Sequence, residues 1–119
     1  MAIRLYNVTF DAQDHAALAE FWRHALGYRV AYAEPHETGI ESPDDPTERC
    51  PALVFVPVPD AKVVKSRFHL DLAPDDQATE VEHLLALGAR RVDVGQGAAP
   101  WVVLADPEGN AFCVLPPWP

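Results

Sequence analysis

Arg67-Phe68-His69-Leu70-Asp71-Leu72 alternates strictly between polar and apolar residues. Phe68, Leu70 and Leu72 fall on one face, and Arg67, His69 and Asp71 on the other, the two-residue period of a β-strand. A polar face of this kind either meets water at a sheet edge or lines the wall of a polar cavity. The rest of the chain decides between the two.

Residues 3–10 alternate in the same way. Tyr6, Val8 and Phe10 share one face, and Leu5, Asn7 and Thr9 the other. Asn7 and His69 stand 62 apart, as do Asp14 and Asp76, and Val30 and Val92. Ala25-Leu26-Gly27 recurs 61 residues later as Ala86-Leu87-Gly88. Four matches in nearly one register mark an internal repeat. The stretch 67–72 is thus the counterpart of residues 5–10, and its polar face is expected to line a cavity.

Each half spells the same order of elements. In the first, Asp11 or Asp14 caps a helix with Leu18, Phe21, Trp22, Ala25 and Leu26 at helical spacing, and Gly27 ends it. Strands are predicted over 28–32, 38–42 and 52–58. In the second half, Asp75 or Asp76 caps a helix carrying Val81, Leu84, Leu85 and Leu87, which stops at Gly88. Strands are predicted over 67–73, 91–94, 101–105 and 111–115. Between the last two, Asp106-Pro107-Glu108-Gly109-Asn110 reads as a hairpin turn, with Pro107 fixing φ and Gly109 tolerating positive φ. The reading is α+β: one domain over 1–119, made of two βαβββ modules, 1–60 and 61–119. Their curved mixed sheets, each with a helix on one face, leave the opposite faces to surround a central cavity.

Composition narrows the partners. The 119 residues carry 18 acidic against 9 basic side chains, a net charge of −9. That balance argues against nucleic acid or an anionic membrane as the main partner. Cys50 and Cys113 give no disulfide framework, no stretch has the pattern of a signal peptide, and none reaches transmembrane length. A cytoplasmic location is expected.

Three stretches resemble the vicinal oxygen chelate superfamily, and within it the glyoxalase-like proteins related to bleomycin-resistance proteins. They are Glu20-Phe21-Trp22-Arg23-His24-Ala25-Leu26-Gly27-Tyr28, Lys65-Ser66-Arg67-Phe68-His69-Leu70-Asp71-Leu72, and Trp101 through the D-P-x-G-N turn of 106–110 to Cys113. The resemblance implies the glyoxalase/bleomycin-resistance fold, and often a homodimer. In metal-dependent members it implies four cavity ligands, one on the first and one on the last strand of each module. Carried over, these positions hold Asn7, Val56, His69 and Cys113.

That set suits a metal poorly. Val56 has no donor atom, and Asn7 offers only a neutral oxygen. His69 and Cys113 suit zinc, but two ligands fall short of the three that a catalytic zinc takes from protein. The family's two carboxylates are missing, which leaves only Asp71 to offset a cation. No cofactor and no metal are therefore favoured; were a divalent ion bound, His69, Cys113 and Asn7 would hold it. His69 is the candidate catalytic residue, as general acid or base with Asp71 beside it. Against this stands a cavity histidine that is merely hydrogen-bonded. Cys113 reads as packing rather than as a nucleophile. His15, His24, His36 and His83 read as surface residues.

The expected function is small-molecule binding in a glyoxalase-like pocket without the usual metal site. Asn7, Arg67, His69 and Asp71 are the polar anchors, with Trp101, Val56 and Cys113 among the ligand-binding residues. One alternative is an enzyme of lyase, isomerase or dioxygenase type using His69, with or without a divalent metal. Another is a partner-binding subunit with a vestigial pocket.

Overall fold

A computed structural model describes residues 3–44 and 50–117. The chain divides into two compact units, Met1–Ala61 and Lys62–Pro119. Each runs strand–helix–strand–strand–strand. The first holds β1 (Asn7–Ala12), α1 (His15–Leu26), β2 (Arg29–Glu34), β3 (Glu37–Glu41) and β4 (Ala52–Pro57). The second holds β5 (Asp71–Leu72), α2 (Gln77–Leu87), β6 (Arg90–Arg91), β7 (Val102–Ala105) and β8 (Ala111–Val114). The sheet orders are β1-β4-β3-β2 and β5-β8-β7-β6, with the same directions: the outer first strand runs parallel to the last, and the other neighbours are antiparallel. The predicted α+β class and the βαβββ order are what the described residues adopt.

In the first module α1 begins where the Asp14 carboxylate accepts from the Ala17 amide at 3.1 Å. It ends where Gly27 turns left-handed, at φ 68°. Its buried face is Leu18, Ala19, Phe21 and Trp22. Trp22 packs on Phe10 with ring centroids 5.9 Å apart, and Phe10 on Phe55 at 5.0 Å. Phe10 and Phe55, paired across β1 and β4, thus present the helix side of this sheet.

The second module is built alike and is smaller. The Asp76 carboxylate caps α2 at the Thr79 amide, 3.1 Å away, and Gly88 closes the helix. Val81 and Leu84 are buried on α2, as are Phe112 and Val114 on β8 and Leu104 on β7. Gln77 donates to the carbonyls of Val114 and Pro100, both at 3.0 Å, which ties the start of α2 to the end of β8.

Several predicted strands are longer than the observed ones, for one reason: a strand lasts only as long as its partner. The parallel register sets Asp71 opposite Cys113, so two residues back His69 falls opposite Ala111, where β8 begins. Upstream of that point residues 67 and 68 have no ladder to join, whereas the Leu70 carbonyl still accepts from the Cys113 amide at 2.9 Å. Phe68, expected to pack beneath α2, is instead 89% exposed. In the first module Asn7 meets Ala52 at the start of β4, so residues 3–6 lie outside the sheet and Tyr6 is exposed. The predicted strand over 91–94 stops at Arg91, apart from one further bond from the Val92 amide to Val103. Asp93 then captures the Gly95 amide at 2.8 Å and turns the chain.

Candidate functional site

The floor of the candidate site is the face of the second sheet that looks away from α2. Alternation along β8 buries Phe112 and Val114 toward the helix and turns Ala111, Cys113 and Leu115 the other way. They line a cavity of about 490 Å³. Trp101, just before β7, and Val103 within it add to its wall, and the loop after β6 closes one side with Val94, Gly95 and Gln96. That loop is held by its own side chains: Gln96 Oε1 accepts from the Val94 amide at 2.9 Å. Gly95 and Gly97 both adopt positive φ, at 89° and 62°, which suits glycine.

The polar end of the cavity comes from the segment that enters β5. Lys65, Ser66, His69 and Asp71 all line it. His69 Nε2 lies 3.3 Å from Asp71 Oδ1. Asp71 stands directly across the ladder from Cys113. One donor atom each from His69, Asp71 and Cys113 lie within 4.8 Å of one another. Burial pushes the Cys113 thiol above its ordinary pKa, and the adjoining Asp71 carboxylate, to which the S–H donates, adds to the rise; Lys65 opposes it. Cys113 is therefore a protonated thiol at neutral pH and a poor nucleophile without a cation to displace its proton.

The candidates from sequence separate into two groups. His69, Asp71, Cys113 and Trp101 line one cavity within the second module. Arg67, on the unpaired segment before β5, is exposed and is not among the lining residues. Asn7 and Val56 belong to the first module and sit on different rungs: Asn7 faces Ala52, whereas Val56 faces Asp11. Four rungs of a parallel pair span about 13 Å, so these two do not form the half-site carried over from the family pattern. Asn7 Oδ1 instead accepts from the Thr9 hydroxyl at 3.3 Å.

Lys65 and Gln96 were missed. Lys65 has the same parity as His69 and Asp71 and could have been found on that ground. Gln96 has no such signal, because a loop carries no period. His15 is also more than a surface residue. Its Nδ1 lies 3.0 Å from the Thr38 hydroxyl and its Nε2 3.0 Å from the Pro35 carbonyl, so it braces α1 against the β2–β3 turn.

A cation is implied by the superfamily resemblance, and its fit can be tested on the donors present. The set Asn7, Val56, His69 and Cys113 does not fit, for the lack of a donor at Val56. His69, Asp71 and Cys113 do fit a zinc-like ion: one imidazole, one carboxylate and one thiol, three donors close together.

Solved structures share this architecture over nearly the whole chain. A glyoxalase/bleomycin resistance protein/dioxygenase family enzyme from Burkholderia phytofirmans matches with a TM-score of 0.73 at 18% identity, covering 94% of this chain and 97% of its own. A variant of the fosfomycin resistance protein FosX from Listeria monocytogenes, complexed with Mn(II) and a dihydroxypropylphosphonic acid, gives 0.72 at 14% identity, with 99% and 93% covered. A bleomycin-binding protein complexed with bleomycin gives 0.62 at 17% identity, with 98% and 100% covered. These define the class as the glyoxalase/bleomycin-resistance fold. The glyoxalase-like domain family model matches residues 7–115, and the chain belongs to that family, within the vicinal oxygen chelate superfamily. No match was found among curated proteins. Among the described residues no helix is long and apolar enough to cross a membrane.

Proposed function

We propose that the protein binds a small organic ligand in the cavity of its second module, without the four-residue metal site usual in the superfamily. The observation that carries this reading is the cavity itself. About 490 Å³ is room for a metabolite-sized molecule. Its walls at Trp101, Val103, Val94 and Leu115 are apolar, and its polar groups gather at one end around Lys65, His69 and Asp71. A ligand with a flat or branched apolar body and an oxygen-rich end matches that division, with Lys65 and His69 as donors to the oxygens. Similar proteins complexed with bleomycin and with a phosphonic acid support a ligand-binding role.

Trp101 is 40% exposed and supplies both a stacking surface and a fluorescent reporter. A metabolite screen by thermal shift is expected to find stabilising ligands. Trp101→Ala is expected to weaken such a ligand about tenfold, close to 1.4 kcal/mol, while leaving the melting temperature of the free protein little changed. A screen with no hit, or a ligand indifferent to Trp101→Ala, contradicts this assignment of the pocket and favours the partner-binding alternative.

One observation favours a catalytic second reading. The Asp71 carboxylate lies 3.3 Å from His69, an arrangement that orients an imidazole for proton transfer. In that case the enzyme is of lyase or isomerase type, and His69→Ala removes turnover while ligand affinity changes little. The proposal further takes residues 1–119 as one domain and the protein as a cytoplasmic homodimer.

A further inference from the structure

We infer that the ligand of the second-module cavity is an elongated planar monocarboxylate, its anionic end held by Lys65 and an uncharged acceptor oxygen at its far end held by the side-chain amide of Gln96. This rests on the ligand-binding reading and adds the chemistry and the orientation of the ligand.

Charge selects the first end. Besides the thiol, the ionisable side chains that line the cavity are Lys65, His69 and Asp71. The Asp71 carboxylate is already engaged, by His69 Nε2 at 3.3 Å and by the Cys113 thiol that donates to it. Among the described residues Lys65 has no carboxylate within ion-pair reach. Its ammonium still acts on the cavity floor, where it opposes the rise that burial and Asp71 impose on the Cys113 thiol. The cavity thus presents one cation that its own residues leave unmatched, and a carboxylate supplies the match with a charge-assisted hydrogen bond. A phosphate or phosphonate dianion would bring a second negative charge beside Asp71, which repels it.

Hydrogen bonding selects the other end. Gln96 Oε1 is taken by the Val94 amide at 2.9 Å. A backbone N–H bonds to the oxygen of that side chain and not to its nitrogen, so the amide has one orientation and its NH₂ group is what it has left to offer. Among the described residues that group has no acceptor. Asp93 holds the Gly95 amide at 2.8 Å in the same turn, so the donor stands on a braced loop.

Topology sets the length. Lys65 precedes β5 and Gln96 follows β6, and these strands are the two edges of the sheet, with β8 and β7 between them. β5 runs parallel to β8, and β7 is antiparallel to both β8 and β6. β5 and β6 therefore run the same way, and the entry to one lies diagonally across the floor from the exit of the other. Three strand spacings come to about 14 Å between backbones. Less the reach of the two side chains, that suits one aromatic ring with a substituent at each end, and Trp101 offers it a stacking face.

The probes are 4-acetylbenzoate, its neutral counterpart 4-acetylbenzamide, and 4-isopropylbenzoate, which keeps the shape and lacks the acceptor oxygen. Each is titrated calorimetrically against the full chain at neutral pH. The expected order has 4-acetylbenzoate tightest, the amide weaker by about tenfold or more and the isopropyl acid weaker by about fivefold. Lys65→Met, at an exposed side chain, is expected to erase the difference between acid and amide. Gln96→Glu keeps an oxygen for the Val94 amide and replaces the donor by an acceptor, so it is expected to erase the advantage of acetyl over isopropyl. An amide that binds as well as the acid overturns the inference, as do differences that survive these substitutions, or three probes that all fail to bind. If the probes fail while a thermal-shift screen yields other ligands, the ligand-binding reading stands without this inference; if the screen fails too, both fall.

Discussion

Asp106 is the residue on which the closing hairpin depends. Its side chain is fully buried, and its carboxylate accepts from the amides of Glu108 and Asn110 and from the Asn110 side chain, at 2.9–3.1 Å. Its backbone amide donates to the Asn110 carbonyl, and its backbone carbonyl accepts from the Gly109 amide. Removal of the carboxylate strands three partly buried donors, each costing up to about 1–3 kcal/mol before relaxation. Asp106→Ala is therefore expected to destabilise the protein by about 3 kcal/mol in urea unfolding, and Asp106→Asn by clearly less. Equal loss in the two variants would show that the carbonyl oxygen common to carboxylate and amide contributes nothing. This turn was legible in the sequence because Asp, Pro, Gly and Asn each have one geometric use there. The partnership of Asp71 with Cys113 was not, because it depends on the register of two strands 42 positions apart. The brace from His15 to Thr38 and Pro35 was hidden for the same reason: its partners are 20 and 23 residues away.

At the scale of the element, the hairpin of β2 and β3 joins local chemistry to a wider pH dependence. Tyr32 lies across from Gly39, and its ring covers the glycine so closely that a Cβ there would collide with it. The Tyr32 hydroxyl donates to the Glu37 carboxylate. Burial, helped by that carboxylate, pushes the phenol up to about 12 from an ordinary 10.0. The folded state thus favours the protonated phenol. Its contribution to stability is complete below pH 10 and is lost as the pH climbs from about 10 to about 12. An ultraviolet titration is expected to show a tyrosinate step near pH 12 that vanishes in Tyr32→Phe, with the wild type losing more stability across that interval than the variant. Two identical alkaline profiles would refute this. Strand existence and order were legible from alternation and from the repeat of 62. Strand lengths were not, since residues 3–6 and 67–68 alternate well and yet find no partner strand beside them.

At the scale of the whole molecule, the repeat announced two βαβββ modules, and the described residues divide accordingly. The modules share a topology but not an equipment. The first ladder of the first module has six rungs, and its counterpart in the second has two. The first module packs aromatic rings beneath its sheet, whereas the second gathers imidazole, carboxylate and thiol at its cavity. Family membership gave the positions at which chemistry was to be sought, and the departures at Asn7 and Val56 moved that search to the second module. The most direct test of this assignment is an amide ¹H–¹⁵N chemical-shift map recorded while a ligand identified by thermal shift is titrated in. The expected result is a set of large shifts at Ser66, Asp71, Gln96, Trp101 and Cys113, with residues of the first module's helix unmoved. Shifts confined to residues 3–60, with the second module silent, would contradict the placement of the site.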